Sequence, residues 1–99
     1  MTHSQAPDAD EANARAHITR CLEGLAAHAE REDNALLSAK VTSAREAWHD
    51  HGRLVDPHIA QLIHHWAARE ARTAGPGALA EAAATSRWMA GQGYKVPSA

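Results

Sequence analysis

The sequence predicts an all-α protein built as a small bundle of three to four helices, and two observations support this prediction. Alanine dominates the apolar residues, while the chain has no Phe, one Tyr and three Trp. Alanine is the strongest helix former, and the β-branched and aromatic residues that suit strands are scarce. Apolar residues also recur at helical spacing. The 99 residues are expected to form one helical domain at 8–91, between a disordered N-terminal tail at 1–7 and a C-terminal tail at 92–99.

The first helix is predicted at about residues 9–31. Asp8 or Asp10 can cap it, because a carboxylate accepts hydrogen bonds from the free N–H groups of the first turn. Its core-facing stripe follows from a rotation of about 100° per residue. The stripe consists of Ala14, Ile18, Leu22, Leu25 and Ala29.

The second helix is predicted at about residues 34–51, ending near Gly52, which tolerates the left-handed conformation of a helix end. The apolar spacing changes phase between the first and second helices, which favours a break at Asp33–Asn34 and an antiparallel hairpin. One continuous helix over 9–51 is the alternative, and it would suit a coiled-coil dimer. The stripe of the second helix is Leu37, Val41, Ala44, Trp48 and Val55.

The third helix is predicted at about residues 57–73. Asp56 caps it, and Pro57 fits the first helical position because the N–H that proline lacks has no partner there. The "GPG" segment at 75–77 is interpreted as a stop. The stripe of the third helix is Val55, Ile59, Leu62, Ile63 and Trp66.

The fourth helix is predicted at about residues 78–90, ending at Gly91 and Gly93. We expect one side of it to pack inward. That side consists of Leu79, Ala82, Ala83, Ser86 and Met89.

The three tryptophans divide into two groups. Trp48 and Trp66 lie on their stripes and are predicted to form the core where the second and third helices meet. Trp88 lies about 180° from Leu79, so the fourth helix has a second apolar face. Tryptophan is enriched at interface hot spots. The predicted protein interface is Trp88, Ala80, Ala84 and Tyr94; the alternative is internal packing, with Tyr94 and Val96 of the tail folded over that side.

The stretch "VDPHIAQLIHHWAARE" contains His58, His64 and His65. All three avoid the apolar stripe of the helix, so we predict that they face solvent. His58 and His65 are two turns apart, about 10 Å along the axis, which is too far for both side chains to bind one metal ion.

An alternative metal site lies on the first helix, where His17, Cys21, His28 and Glu32 share one face. Pairs four residues apart can chelate a metal ion, but each pair would need ligands from another helix, such as His49, His51 or His58. The pattern in "HAERE" resembles the hemerythrin-like di-iron bundles. The resemblance covers five residues, and "LIHHW" lacks the ligand spacing of that family. We therefore expect no cofactor, and an inert, buried Cys21.

Other functions lack their sequence signatures. The net charge of −2 and the low density of basic residues in the third helix disfavour nucleic-acid binding. We find no phosphate-binding loop, nucleophile elbow or recognisable pair of carboxylates, so no enzyme activity is expected. The chain shows no signal peptide and no membrane span, which favours a cytoplasmic location.

The leading hypothesis is therefore a non-catalytic helical interaction protein, such as an adaptor, a small regulator or a phage-type inhibitor. It would dock an apolar helix face on a protein partner or on a second copy, as a homodimer. One alternative is a metal-binding or redox helical bundle. The other is a dimeric DNA-binding regulator, whose arginines would cluster. These arginines are Arg53, Arg69, Arg72 and Arg87.

Overall fold

The computed structural model describes the backbone of residues 5–95 and the side chains of residues 9–95. These residues form four helices joined by short turns and contain no strand, so the predicted all-α bundle is confirmed. Predictions for the segments 1–4 and 96–99, Val96 included, lie outside the described residues. The helices are α1 (Gln5–Arg31), α2 (Ala35–His51), α3 (Pro57–Ala74) and α4 (Pro76–Gly91).

The break between α1 and α2 is a closed turn. Asp33 adopts a left-handed conformation, with φ 52°, and the N–H of Asn34 donates to the Ala29 carbonyl at 2.9 Å. This is the Schellman pattern of a helix end, with Asp in place of the usual Gly. The Asn34 side chain then accepts a hydrogen bond from the Leu37 N–H at 3.1 Å and so caps α2. The predicted break is confirmed, and the alternative of one continuous helix is wrong.

The start of α1 differs from the prediction. The helix begins at Gln5, so residues 5–7, predicted as part of a disordered tail, are helical. Pro7 does not prevent this, because the N–H groups of the first helical turn have no partner within the helix. Asp8 and Asp10 consequently lie inside α1 instead of capping it.

The starts of α3 and α4 both use proline. The Asp56 side chain accepts a hydrogen bond from the His58 N–H at 2.9 Å, and Pro57 opens α3 as predicted. The predicted stop at 75–77 is shorter than expected, because α4 already begins at Pro76. Gly75 alone separates α3 from α4, with φ 107°. The fixed φ of proline suits the first helical position that follows.

The core forms around α1, which packs on α2, α3 and α4. In addition, α4 packs extensively on α3, whereas α2 makes few contacts with α3. The predicted stripe of α1 is fully buried. Alanines such as Ala60, Ala67 and Ala71 of α3 fill much of the remaining core. Because these side chains are small, the helices approach closely. The largest fully buried side chains are Ile18, Leu22, Ile59, Ile63, Met89, Val41 and Cys21.

The tryptophan core predicted between α2 and α3 is wrong. The indole N–H of Trp48 donates to Thr19 Oγ1 of α1 at 3.0 Å, and the indole of Trp66 lies against Gly24 of α1. Both tryptophans thus pack on α1, because α2 and α3 make few contacts with each other and both pack against that helix.

The predicted burial of Val55 is also wrong, since 71% of the residue is exposed, whereas its neighbour Leu54 is 5% exposed. α2 ends at His51, and Gly52 follows in a left-handed conformation with φ 69°. Helical spacing therefore does not continue into the loop, and Leu54 is buried in the core in place of Val55.

Candidate functional site

One side of α4 faces solvent along most of the helix. We call this surface the α4 face. Arg87 is its only charged residue, and the two alanines predicted at a protein interface, Ala80 and Ala84, lie on it. The α4 face consists of Leu79, Ala80, Ala83, Ala84 and Arg87, all of them exposed.

The prediction that Leu79 and Ala83 point inward is wrong, since Leu79 is 50% exposed and Ala83 is exposed. The buried side of α4 is formed by Ala82, Thr85 and Met89. Leu79 lies about 90° around the helix from the middle of that side. The helix is rotated in this way because it packs against α1 and α3 together.

Trp88, the third predicted interface residue, is half-buried at the border of the α4 face. The Arg15 guanidinium lies 5.2 Å from the centre of its ring and 5.0 Å from that of Trp48. Arg15 Nη1 also donates to the Gly52 carbonyl at 3.0 Å, and its Nε pairs with Glu11 at 2.9 Å. The role of Arg15 was not predicted from the sequence, because only its contact with Glu11 is local in sequence.

Tyr94, the fourth predicted interface residue, is half-buried and makes internal contacts. Its hydroxyl accepts a hydrogen bond from the Leu54 N–H at 3.0 Å, and the Arg53 guanidinium lies 5.3 Å from the centre of its ring. Tyr94 therefore ties the segment after α4 to the loop between α2 and α3.

His17 lies in the interface between α1 and α4, only 7% exposed. Its Nδ1 is hydrogen-bonded to Thr85 Oγ1 at 2.7 Å, and its Nε2 is 3.9 Å from a Glu81 carboxylate oxygen. Glu81 in turn pairs with Arg20 at 2.6 Å. Burial lowers the pKa of His17, and the Glu81 carboxylate opposes that shift.

The other residues of the alternative metal site have separate surroundings. Burial, reinforced by the charge of Glu70, raises the pKa of the Cys21 thiol to about 12, so the thiol is protonated at neutral pH. The His28 ring lies 5.7 Å from that of Trp66, and Glu32 is exposed. Among residues 9–95, no group of three or more His, Cys, Asp and Glu side chains is arranged to hold a metal ion.

The histidines of α3 divide between solvent and interior. His58 and His65 are exposed as predicted, but the prediction for His64 is wrong. His64 is half-buried, and its Nδ1 is hydrogen-bonded to Ser86 Oγ of α4 at 2.8 Å. Burial lowers the pKa of His64, and the neighbouring His65 adds to this shift. The prediction failed because α4 covers the side of α3 opposite its main stripe.

A groove of about 630 Å³ lies between α1 and α2, and we call it the α1–α2 groove. The groove was not predicted from the sequence, because residues of two different helices form its walls and only the fold brings them together. The residues that determine its character are Leu22, Glu23, Arg45, Glu46, Trp48 and Asp50.

The arginines considered for DNA contact have different surroundings. Arg69 lies 5.9 Å from the centre of the Trp66 ring, and Arg53 lies against Tyr94 as described above. Arg72 and Arg87 are exposed, on α3 and α4 respectively. Two of the four arginines thus contact aromatic rings within the chain itself.

Comparison of the chain with protein-family models, curated proteins and solved structures gives no significant match. Among the described residues, no helix has both the length and the hydropathy needed to cross a lipid bilayer.

Proposed function

We propose that this chain is a non-catalytic, cytoplasmic helical interaction protein that docks the α4 face on a protein partner. The observation that supports the proposal is the exposure of Leu79, at 50%, next to a continuous row of exposed alanines. Small side chains let the backbone of a partner helix come close, and a leucine in the contact adds apolar area.

The half-buried Trp88 lies at the border of this face and supports the same proposal. Its indole is held by Arg15, so little side-chain entropy is lost when a partner covers its exposed part. Rigid aromatic side chains of this kind are the residues that most often dominate interface energetics.

We propose a non-catalytic role because the two side chains near His17 that could act as nucleophiles, Cys21 and Thr85, are unsuited to attack. Cys21 is 1% exposed and Thr85 is 3% exposed, each within a helix. A nucleophile must be reached by its substrate and must be activated by deprotonation or by a nearby base. Neither buried side chain can be reached in this way.

A second copy of the chain is the first partner to test. We expect light scattering at high protein concentration to give the mass of a dimer for the unchanged chain and of a monomer for Ala84→Glu. Glutamate is a good helix former, so the variant keeps α4 while placing charge in the contact. Ala27→Glu, at an exposed alanine of α1, is the matched control and should remain dimeric.

The result also separates self-association from a different partner. If the unchanged chain is monomeric, the dimer is excluded, and capture of a host protein must then depend on the α4 face. Equal capture by the unchanged chain, Ala80→Glu and Ala84→Glu would contradict the proposed function.

A further inference from the structure

We propose that the α1–α2 groove is a binding site for a small organic cation with an aromatic or alkyl body. The groove is separate from the α4 face, and this inference does not depend on the proposed function. Thr19 lines the groove and follows His17, which faces α4, by two residues. The two side chains therefore point about 160° apart around α1.

The size and lining of the groove suit a small ligand. Its volume of about 630 Å³ falls within the range of about 300–1,000 Å³ that ligand pockets occupy. The half-buried Trp48 gives it apolar surface, and Leu22, which is 1% exposed and belongs to the core, lies beneath it. A ligand with an apolar body would cover this surface and remove it from water.

The charged residues around the groove favour a ligand of positive charge. Glu23, Glu46 and Asp50 line it, opposed by Arg45. Asp50 is hydrogen-bonded to His49 at 3.1 Å, whereas Glu23 and Glu46 form no ion pair with any residue that the structure describes. A second guanidinium, that of Arg15, lies against the Trp48 ring, but its charge is paired with Glu11 at 2.9 Å. The three carboxylates therefore outnumber the cationic groups near the groove, and the local field attracts a cation.

The Trp48 ring is held in place before any ligand arrives. The Thr19 hydroxyl donates to the Arg15 carbonyl at 3.0 Å and accepts from the Trp48 indole N–H at 3.0 Å. The Arg15 side chain also lies against the Trp48 ring. A fixed indole next to carboxylates is a favourable surface for the apolar body of an organic cation, because the orientation of the ring costs no further entropy.

The test is a titration with phenethylammonium chloride, followed by ¹H–¹⁵N NMR of the full chain. Each tryptophan gives one indole N–H signal, and Trp48→Phe assigns the one from the groove. We expect saturable shifts of the Trp48 indole and of the Thr19 and Glu46 amides. 3-Phenylpropionate has the same aromatic body with a negative charge and should produce no saturable shift at these positions.

The carboxylates are tested with the double variant Glu23→Gln/Glu46→Gln, which keeps the shape of the groove. We expect its dissociation constant for phenethylammonium to rise about two- to fivefold for each carboxylate removed. Glu32→Gln, at an exposed carboxylate outside the groove, is the matched control and should bind as the unchanged chain does.

Three results would overturn the proposal. They are the absence of saturable shifts at Trp48, equal binding of the cation and the anion, and unchanged binding by a double variant whose NMR spectrum shows that it is folded. The last two would mean that the groove binds the aromatic body alone.

Discussion

Gly24 of α1 lies directly beneath the indole of Trp66 of α3. A Cβ built at Gly24 would be 2.7 Å from Trp66 Cζ2 and 2.8 Å from its Nε1, closer than real Cβ atoms approach. The same indole nitrogen is buried and finds no hydrogen-bond partner among the described residues. The missing side chain at position 24 thus allows Trp66 to pack on the backbone of the central helix.

Gly24→Ala is therefore expected to destabilise the fold, although alanine is the better helix former by about 1 kcal/mol. The rigid indole must move, and overpacking of this kind costs about 1–3 kcal/mol. Urea unfolding followed by circular dichroism measures the change. Gly77→Ala, where an added Cβ meets nothing within 4 Å, is the control and should stabilise the chain. Equal effects of the two substitutions would contradict the close packing at Gly24.

Arg15→Lys is expected to lower the free energy of unfolding by about 1 kcal/mol, because lysine lacks the planar guanidinium that contacts the rings of both Trp48 and Trp88. The variant keeps the positive charge, so the loss reports the contacts of the guanidinium with the rings and its hydrogen-bond geometry. Arg20→Lys is the control: its pairing with Glu81 involves a guanidinium side chain that is 57% exposed, and such pairs contribute little. Thermal unfolding of both variants makes the comparison, and a smaller loss for Arg15→Lys than for Arg20→Lys would contradict this account of Arg15.

Stability is expected to fall as the pH drops below about 6.5, the ordinary pKa of histidine. Burial lowers the pKa of His17 in the folded chain, so the unfolded chain takes up a proton first and is favoured by acid. Glu81 and Glu70 reduce this effect and Arg20 adds to it. The pKa of His64 is lowered by burial as well, so His64 adds to the loss of stability in acid.

The contribution of His17 is isolated by His17→Gln, which should flatten the dependence of the unfolding free energy on pH between 7 and 5. His58→Gln changes an exposed histidine of α3 and should leave that dependence as it is. A pH dependence that is the same in both variants would show that His17 does not carry the effect.

The Cys21 thiol is expected to react with a disulfide reagent about a hundredfold or more slowly in the folded chain than in urea. It is 1% exposed, and its pKa is raised to about 12. Absorbance of the released thiolate measures the rate. A rapid reaction of the folded chain would mean that α1 and its neighbours separate often, in conflict with the packing described here.

Local signals allowed the helices and their ends to be predicted. Asp56 followed by Pro57 marks a helix start because both residues act on their immediate neighbours, and the structure contains the expected cap. The change of spacing after Ala29 likewise predicted the turn at Asp33, where the chain reverses between α1 and α2.

The directions in which side chains point were less predictable, because they depend on which helices meet. The predicted directions of Leu79 and His64 follow from the residues of a single helix, yet α3 and α4 each pack on more than one neighbour, and their buried sides are therefore displaced. Val55 was assigned from spacing that stops at the end of α2. Arg15 could not be found at all, because Trp48 and Trp88 are brought to it by the fold.

The uneven packing of α2 has a consequence for local unfolding. α2 contributes only two buried residues, Val41 and Ala44, and rests almost entirely on α1. The three remaining helices share contacts with one another, so α2 can detach while they stay assembled. Its backbone amides should therefore exchange with deuterium before those of α1, α3 and α4. The chain would then unfold in two cooperative units, and α2 alone would be the first of them.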